Sequence, residues 1–417
     1  MKTIVICGAG IAGIAAAYYL SKSNIKRNII LVDKNQPLSF TTSKSGENFR
    51  DYWPQKCMRD LSSHSILLMK ELRNEYASDV FKMNFSGYNF ISCNDEPIFS
   101  TSIDDGKDLF MQELSDPKTI VKNYPYLSPE IKRVITLKNA GNIDVYALGS
   151  LLLRVAKMNG VSETKGEIIN ITKVKSQNEV VLDTGQKINA DQIVIAAGPF
   201  INHIAKMIGF EFPIQYTLQR KFIIPDPKKI IPREMPFTIY SDRQFLNWSS
   251  DENAFFESEE KYQWLLKEFP GGLHIKPEGE GIKMGWAFNS ENENPLWQNP
   301  TSEFFPQVVL KGASQFIPQL SEYENEIPTP IIEYAGYYTR TKENWPLIGP
   351  TDDPNVFVIG ALSGFGTMTA CAAGKLCSNY ITEENELSDY APYFHPNRYQ
   401  NEGLVQEIIT CVSDGQL

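Results

Sequence analysis

A run of residues near the start of the chain has the types and spacing that could bind the phosphates of a nucleotide. It reads Gly8-Ala9-Gly10-Ile11-Ala12-Gly13, and an acid, Asp33, follows 20 residues after the last glycine. In such a turn the first glycine allows the tight bend, the second lets the backbone approach a pyrophosphate, and the third lets helix and strand pack closely. The helix N-terminus then offers free N–H groups and a positive dipole end to the phosphates. The acid can accept hydrogen bonds from ribose hydroxyls and repels a 2′-phosphate, so the pattern predicts dinucleotide binding.

These residues need strands and a helix to hold them in place. Thr3–Cys7 is a short apolar run typical of a buried parallel strand, and Ile11–Ser21 is rich in alanine and other helix formers. A second apolar strand, Asn28–Val32, ends directly before the acid. Glycines alone also mark ordinary tight turns, but the order strand, turn, helix, strand and acid favours a Rossmann-type unit.

Further along the chain, helical spacing predicts a helix over 60–76 and another that begins at Asp144. Residues 166–198 are predicted to form strands separated by turns. From about Pro213 to Pro330 proline and aromatic residues become frequent, and the strands there are predicted to form a separate, largely antiparallel layer. From about Glu383 the sequence is polar and is expected to wrap the surface or fray.

The composition excludes several other classes of protein. The chain has 417 residues, and its 40 Lys and Arg against 50 Asp and Glu give a formal net charge of -10. Nucleic acid is therefore not an expected partner, because binding it needs a basic surface. The six scattered cysteines include no Cys-x-x-Cys pair and the four histidines are dispersed, which predicts no metal site and suits a cytoplasmic location. The apolar stretch Ile4–Leu20 is too short for a membrane span, so no integral membrane segment is expected.

Four blocks spread over nearly the whole chain carry a family resemblance. They are the glycine turn followed by Thr42-Ser43-Lys44-Ser45-Gly46, the segment Ala140-Gly141-Asn142-Ile143-Asp144, the segment from Ala190 to Pro199, and the stretch from Tyr334 through Trp345-Pro346-Leu347-Ile348-Gly349-Pro350 to Ile359-Gly360-Ala361-Leu362-Ser363-Gly364-Phe365-Gly366. Through these blocks the chain resembles the D-amino-acid oxidase superfamily of FAD-dependent oxidoreductases. That superfamily includes glycine oxidase, sarcosine oxidases and dimethylglycine dehydrogenases.

The resemblance implies that the cofactor is FAD. Sarcosine oxidases attach the flavin to a cysteine, and the matching position here is about Gly336, so FAD is expected to be held noncovalently. The glycines of the last block are expected to bring backbone N–H groups to the flavin ring, with the positive end of the next helix facing it. The expected FAD contacts are Gly8, Gly10, Ile11, Ala12, Gly13, Asp33, Lys34, Ser43, Ser45, Gly46, Ala197, Gly198, Gly336, Gly364, Phe365, Gly366, Thr367 and Met368.

The resemblance also implies a fold of class α/β (α+β overall), in which a Rossmann-type FAD-binding domain is combined with a mainly antiparallel β-sheet substrate domain. The expected boundaries are a discontinuous FAD-binding domain of residues 1–85, 145–212 and 331–385, a substrate or cap domain of residues 86–144 and 213–330, and a C-terminal tail of residues 386–417.

The expected reaction is oxidation of the C–N bond of an amino acid or secondary amine, by hydride transfer to flavin N5, giving an imine that water hydrolyses. A guanidinium fork matches a carboxylate, so Arg340 and Arg50 are expected to orient the substrate together with Tyr338. Arg220 and Lys221, at the start of the antiparallel layer, could do the same work.

Two other functions stay open. The same fold could oxidise a 2-hydroxy acid or a polyol phosphate, or the chain could be a flavin-holding subunit that relays electrons without its own substrate. Sarcosine oxidases carry a lysine after the last glycine loop, where this chain has Thr367 or Met368. The electron acceptor could therefore be O2 or another redox partner.

Overall fold

The computed structural model describes residues 1–99, 111–383 and 386–410, and within them the chain alternates strands and helices. The strands are β1 (Thr3–Cys7), β2 (Asn28–Asp33), β3 (Asn48–Arg50), β4 (Met83–Asn84), β5 (Tyr88–Ser92), β6 (Met111–Leu114), β7 (Arg133–Leu137), β8 (Ala140–Ile143), β9 (Ser162–Lys165), β10 (Ile168–Val174), β11 (Gln177–Leu182), β12 (Lys187–Ala190), β13 (Gln192–Ile195), β14 (Gln215–Pro225), β15 (Phe237–Tyr240), β16 (Leu273–Glu278), β17 (Gly281–Trp286), β18 (Ile332–Arg340), β19 (Leu347–Pro350) and β20 (Val356–Gly360). The α-helices are α1 (Ile11–Ser21), α2 (Lys56–Tyr76), α3 (Pro117–Asn123), α4 (Val145–Met158), α5 (Ile201–Met207), α6 (Ser250–Ser258), α7 (Phe305–Phe316), α8 (Gly366–Thr382), α9 (Ala391–Phe394) and α10 (Glu402–Thr410).

A six-stranded sheet in the order β19-β20-β13-β1-β2-β9 forms the nucleotide-binding part. All its neighbours are parallel except β19, which pairs antiparallel with β20. Helices α1, α2, α4 and α8 pack against one face, and α5 with the meander β10-β11-β12 packs against the other. Because α1 is apolar on all sides, it fits between the sheet and α8, where Gly374 lets α8 lie directly against Ala15. The predicted Rossmann-type domain is confirmed, and β1 and α1 have the predicted bounds.

An eight-stranded sheet in the order β18-β14-β17-β16-β15-β5-β7-β6 covers the cavity described below, and we call it the roof sheet. Its pairs are antiparallel except β15 with β5, which confirms the predicted, mainly antiparallel layer. The apolar side chains of its outer face pack against α7. The edge strand β18 belongs to this sheet by pairing with β14, although the predicted boundaries group it with the FAD-binding domain. Those boundaries stay a prediction.

The segment after α8 packs into the protein, so the expectation of a polar tail on the surface is wrong for residues 390–398. Tyr390 and Phe394 are buried in the same core as α1 and α8. The buried guanidinium of Arg398 pairs with the buried carboxylate of Glu343 and donates a hydrogen bond to the Pro346 carbonyl oxygen at 2.7 Å. A buried charge needs such a partner, and the polar sequence gave no sign of one. Residues 411–417 of the predicted tail lie outside the described residues.

Candidate active site

The glycine turn predicted to bind phosphates is where β1, α1 and β13 meet. Gly8 has a φ of +114°, and a Cβ there would lie 2.4 Å from the carbonyl oxygen of Ala196. A Cβ on Gly13 would lie 2.0 Å from the carbonyl oxygen of Gly8. At Gly10 the nearest atom to a Cβ would be Thr42 Oγ1 at 3.5 Å, an ordinary contact distance. The first and third glycines are therefore required by packing, and the second leaves space for a ligand.

Asp33 ends β2 beside this turn, as predicted. Its carboxylate accepts hydrogen bonds from the backbone N–H of Ala9 at 2.7 Å and of Asn35 at 2.8 Å. Burial raises the pKa of Asp33, and these two hydrogen bonds oppose the rise. A carboxylate oxygen can accept more than one hydrogen bond, so Asp33 can hold the turn and still accept from a ligand hydroxyl.

Two loops from distant parts of the sequence meet beside the turn. The hydroxyls of Ser45 and Thr367 are hydrogen-bonded at 2.8 Å across 322 positions of sequence. Between β20 and α8, Ala361 and Ser363 have positive φ values of 54° and 46°, which residues with a side chain rarely adopt. The backbone N–H of Ser363 donates to the Thr339 carbonyl oxygen at 2.9 Å, which ties this strained turn to β18. Such strain persists only where the surroundings fix it, and it is common in functional loops.

A cavity of about 740 Å³ runs along the turn and these loops, a volume in the range usual for cofactor pockets. Most of the predicted FAD contacts line it. They are Gly8, Gly10, Ile11, Ala12, Asp33, Lys34, Ser45, Gly46, Ala197, Gly198, Gly336, Gly364, Gly366 and Thr367. Tyr338, predicted to orient the substrate, also lines the cavity. The fold thus brings residues from both ends of the chain to one cavity.

Four predicted FAD contacts lie behind the cavity wall. Gly13 packs against the turn as described above, and the Ser43 hydroxyl donates to carbonyl oxygens of its own helical turn. The ring of Phe365 packs edge-on against Trp53 with 5.0 Å between centroids. Met368 is buried in the core among the helices. Their geometry supports the loops from behind, and direct contact with FAD stays a prediction for them.

The two arginines predicted to bind a carboxylate do not line the cavity. Arg50 is buried, and its guanidinium carbon lies 4.1 Å from the ring centroid of Trp53 and 5.0 Å from that of Phe90. Burial lowers the pKa of Arg50 to about 10. Arg340 is half-buried near the end of β18, where burial lowers its pKa as well. Their roles in substrate binding stay predictions.

The groups around the cavity suit a dinucleotide such as FAD. The N-terminus of α1 begins at the cavity wall, and its N-cap, Gly10, has no side chain to cap it. The hydroxyls of Thr41 and Ser363 belong to residues of the cavity wall and are buried without a hydrogen-bond partner among the described residues. Because buried polar atoms are normally hydrogen-bonded, such atoms at a cavity wall are natural partners of a bound cofactor.

A lysine of the roof sheet reaches the same cavity. Lys221 on β14 is only 9% exposed, and its Nζ lies 5.7 Å from the ring centroid of Tyr338. A Cβ on Gly285 would lie 2.8 Å from Lys221 Cγ and 2.5 Å from His274 Nε2, so the glycine makes room for both side chains. Among the residues that the structure describes, no carboxylate forms a salt bridge with Lys221. The sequence suggested this lysine only as an alternative to the arginines.

His274, beside Lys221, is neutral. Burial and then the charge of Lys221 lower the pKa of His274 to about 3. Its Nδ1 lies 3.0 Å from the Gly272 carbonyl oxygen, so Nδ1 carries the proton of the neutral ring. The ring therefore adds no second cation beside the lysine.

A second lysine ties the roof sheet to the loop after the glycine turn. Lys276 Nζ donates to the Gly46 carbonyl oxygen at 2.8 Å and to Asn48 Oδ1 at 3.2 Å. Glu278 lies 3.5 Å from this amine and 2.9 Å from that of Lys283, so two buried amines share one carboxylate. Burial and the nearby charge of Lys283 lower the pKa of Lys276 to about 8. The sequence predictions do not include Lys276, although charges at alternate positions of a predicted strand were an available signal.

The described residues contain neither a metal-binding cluster nor a membrane-spanning helix. Residues 1–99, 111–383 and 386–410 contain no cluster of three or more His, Cys, Asp or Glu side chains arranged to hold a metal ion. Over the same ranges, every helix is too short or too polar to cross a bilayer.

Comparison with known proteins points to the same cofactor. A family model described as FAD dependent oxidoreductase matches residues 3–380. Mitochondrial dimethylglycine dehydrogenase from Homo sapiens is 24% identical over 420 residues, which cover 95% of this chain and 44% of that protein. The chain therefore spans less than half the length of this relative.

Solved structures share the fold. L-proline dehydrogenase from P. horikoshii superposes with a TM-score of 0.73 at 19% identity, covering 96% of this chain and 98% of that one. Glycine oxidase from Geobacillus kaustophilus superposes with a TM-score of 0.71 at 14% identity, covering 95% of this chain and 99% of that one. At these identities the likeness shows the fold.

The glycine turn gives a matched pair of substitutions. Gly10→Ala should leave the fold intact, because the new methyl group meets no protein atom closer than 3.5 Å. It should weaken FAD binding by about 10-fold or more, because that methyl group occupies the ligand side of the turn. Gly13→Ala should instead lower the stability of the apoprotein by about 3 kcal/mol, because the methyl group collides with backbone. Titration of FAD fluorescence and melting of the apoproteins measure the two effects. Wild-type FAD affinity in Gly10→Ala would show that the turn does not face the cofactor.

Lys276 should give the protein a distinct pH dependence. Between a pH of about 8 and about 10.5 the unfolded chain holds a proton on this amine that the folded protein has lost. Folding therefore becomes more favourable as the pH rises through this window. Across it, the free energy of unfolding of the wild type minus that of Lys276→Met should increase by up to about 3 kcal/mol.

Urea unfolding at several pH values, with both proteins in the same cofactor state, measures this difference. Lys267→Met, which changes an exposed lysine in the segment before β16, is the control and should show no such trend. A wild-type minus Lys276→Met difference that is constant over the window would contradict the buried environment of the amine.

Proposed function

Because this chain belongs to the family of FAD-dependent oxidoreductases, we propose that it oxidises the C–N bond of a carboxylate-bearing amine, either an amino acid or a secondary amine, to an imine. FAD supplies the hydride acceptor for such a reaction. The part left to the protein is to hold the cofactor, anchor the donor and keep water away from it.

The predicted FAD contacts on the cavity wall divide into two groups. The glycine turn and Asp33 suit the nucleotide half of the cofactor, while the Ser45-Gly46 loop and the loop from Gly364 to Thr367 suit the flavin half. The hydrogen bond between Ser45 and Thr367 holds the two loops at a fixed separation. Gly336 has no side chain for a covalent link, and the stem of Lys44 would lie 3.1 Å from a Cβ there, which supports noncovalent FAD.

The observation that carries the substrate proposal is the position of Lys221. Its ammonium group is nearly buried, lines the cavity, and has no carboxylate partner among the described residues. A buried charge is costly unless it is paired, so a substrate carboxylate would supply the partner that these residues do not. Tyr338 adjoins the lysine and packs against the loop at Gly364, where a Cβ would lie 2.4 Å from its ring. We infer that the lysine binds the carboxylate and the tyrosine limits the space beside it.

Lys221 serves this role better than the two predicted arginines. The guanidinium of Arg50 is held between aromatic rings, and Arg340 is not among the residues that line the cavity. An ammonium group binds a carboxylate as a point charge and does not need the planar geometry of an arginine pair. The predicted electron acceptor, O2 or another redox partner, and the predicted cytoplasmic location do not depend on this choice.

Anaerobic reduction of the bound flavin tests the donor class. Holoprotein is mixed with amino acids, N-methyl amino acids, amines that lack a carboxylate, 2-hydroxy acids and polyol phosphates, and the visible absorbance of the flavin is followed. Carboxylate-bearing amines should bleach the flavin, and dithionite serves as the control for a reducible cofactor. Bleaching only by 2-hydroxy acids or polyol phosphates would replace the donor. Bleaching by dithionite alone would favour an electron-relay subunit.

Lys221→Met should raise the KM for the carboxylate-bearing donor by about 10- to 100-fold, because a charge-assisted hydrogen bond is lost. The kcat should change less, and the KM for the matching amine without a carboxylate should stay near its wild-type value. Arg220→Gln is the matched control, because this neighbouring residue lies on the other face of β14 and pairs with Glu333 at 2.9 Å. An unchanged KM in Lys221→Met would exclude the lysine as the carboxylate anchor.

A further inference from the structure

A segment without regular structure crosses from the roof sheet over the cavity. It lies between β17 and α7, and we call residues 289–299 the strap. The strap contributes five residues to the cavity wall: Asn292, Asn294, Pro295, Leu296 and Trp297. It therefore adds a wall to the cofactor cavity from outside the Rossmann-type domain, and none of the predicted FAD contacts belongs to it.

Hydrogen bonds to β14 and β18 anchor the strap along its length. They run from Asn289 Nδ2 to the Leu218 carbonyl (3.2 Å), from Gln219 Nε2 to the Asn289 carbonyl (2.7 Å), from Tyr216 N to Asn292 Oδ1 (2.8 Å), from Glu293 N to the Tyr216 carbonyl (2.8 Å), from Leu296 N to Tyr337 Oη (3.1 Å) and from Asn299 Nδ2 to the Ala335 carbonyl (2.9 Å). The strap is thus held in place over the cavity without being part of the sheet.

The side chain of Trp297, in the strap, packs on the Rossmann-type domain. The ring of Trp297 stacks on Phe200, with 4.1 Å between centroids and 18° between planes. It also lies 5.0 Å from the ring of Phe40. Lys34 Nζ lies 4.6 Å from the centroid of the Trp297 ring and is held by Glu167 at 2.8 Å. Trp297 therefore contacts three separate loops of the Rossmann-type domain.

These three loops mark the nucleotide end of the cavity. Lys34 directly follows Asp33, Phe200 ends the helical turn Gly198–Phe200 after β13, and Phe40 leads into the loop that carries Thr42. In a Rossmann-type unit the acid after the second strand lies at the ribose. The Trp297 contact with Lys34 therefore lies on the adenosine side of the cavity.

We propose that the strap retains FAD and that Trp297 is its latch. The cofactor enters and leaves when Trp297 separates from Phe200 and Phe40, while both domains keep their fold. The strap is the part that opens, because none of its residues is buried, and Leu296 and Trp297 are 53% and 40% exposed. Segments with few buried apolar contacts open at lower free energy than sheets and cores. This proposal concerns only the binding and release of FAD, so it does not depend on which donor reduces the flavin.

The rate of FAD release tests the latch. Holoprotein loaded with radiolabelled FAD is chased with excess unlabelled FAD, and the label that stays with the protein is measured over time. Trp297→Ala should release FAD about 10-fold faster than the wild type, since it loses the aromatic stack, and Trp297→Phe should restore most of the retention. Binding of FAD to the apoprotein should also become faster in Trp297→Ala, because opening no longer limits entry.

Two controls separate a latch from a general loss of stability. Phe255→Ala removes an aromatic residue of α6 that is 51% exposed and does not line the cavity. This change should leave FAD release unchanged. Phe200→Ala removes the opposite half of the stack, so combining it with Trp297→Ala should accelerate release no further than either change alone. Wild-type release in Trp297→Ala, or fully additive effects in the double variant, would overturn the proposal. If Trp297→Ala does not fold, two other single variants replace it. Phe200→Ala loses the aromatic stack and Asn299→Ala loses a hydrogen bond that anchors the strap, so each should release FAD faster than the wild type.

Discussion

The contact between the backbones of Gly8, Gly13 and Ala196 is the constraint on which the cavity depends. A Cβ on Gly8 would lie 2.4 Å from the Ala196 carbonyl oxygen, and a Cβ on Gly13 would lie 2.0 Å from the Gly8 carbonyl oxygen. This close approach sets α1 directly against the ends of β1 and β13. Because β1, β2, β13 and β20 are parallel, their carboxyl ends meet at one edge of the sheet, where ligands bind in such folds. The turn, Asp33, Ala197 and the strained loop at Ala361 all follow these strand ends.

The roof sheet covers the cavity, and its two faces are stabilised by different kinds of interaction. Its outer face is apolar and packs against α7, whereas its inner face carries the amines of Lys221, Lys276 and Lys283, and the last two share the carboxylate of Glu278. Burying amines costs free energy unless hydrogen bonds and counter-charges offset it. The carboxylate and the loop at Gly46 offset part of that cost for two of the amines. Of the three amines, Lys221 is the one in the cavity wall, and no carboxylate among the described residues forms a salt bridge with it.

Local features of the fold could be predicted from the sequence because they follow from spacing alone. The bounds of β1 and α1, and the start of α4 after Asp144, whose side chain accepts from the Ala147 N–H at 2.8 Å, needed only apolar runs and capping residues. Contacts between distant segments could not be predicted that way. The pair Ser45 and Thr367 is separated by 322 positions, and the pair of Arg398 and Glu343 joins a polar segment to a strand end. The resemblance identified the loops that approach each other, but the arginines it suggested, Arg340 and Arg50, do not line the cavity, whereas Lys221 does.

The positions of Arg50 and Lys221 show why residue type alone could not predict which cation lines the cavity. Both residues lie in segments that reach the cavity region, and type alone favoured arginine. The neighbouring strands separate the two positions: β3 pairs with β8, and Arg50 there lies between Trp53 and Phe90, while Gly285 on β17 leaves room for the side chain of Lys221. The arginine then supports Trp53, which packs on Phe365 directly after Gly364. Any effect of Arg50 on the loop at Gly364 is therefore transmitted through aromatic packing, whereas Lys221 lies in the cavity wall itself.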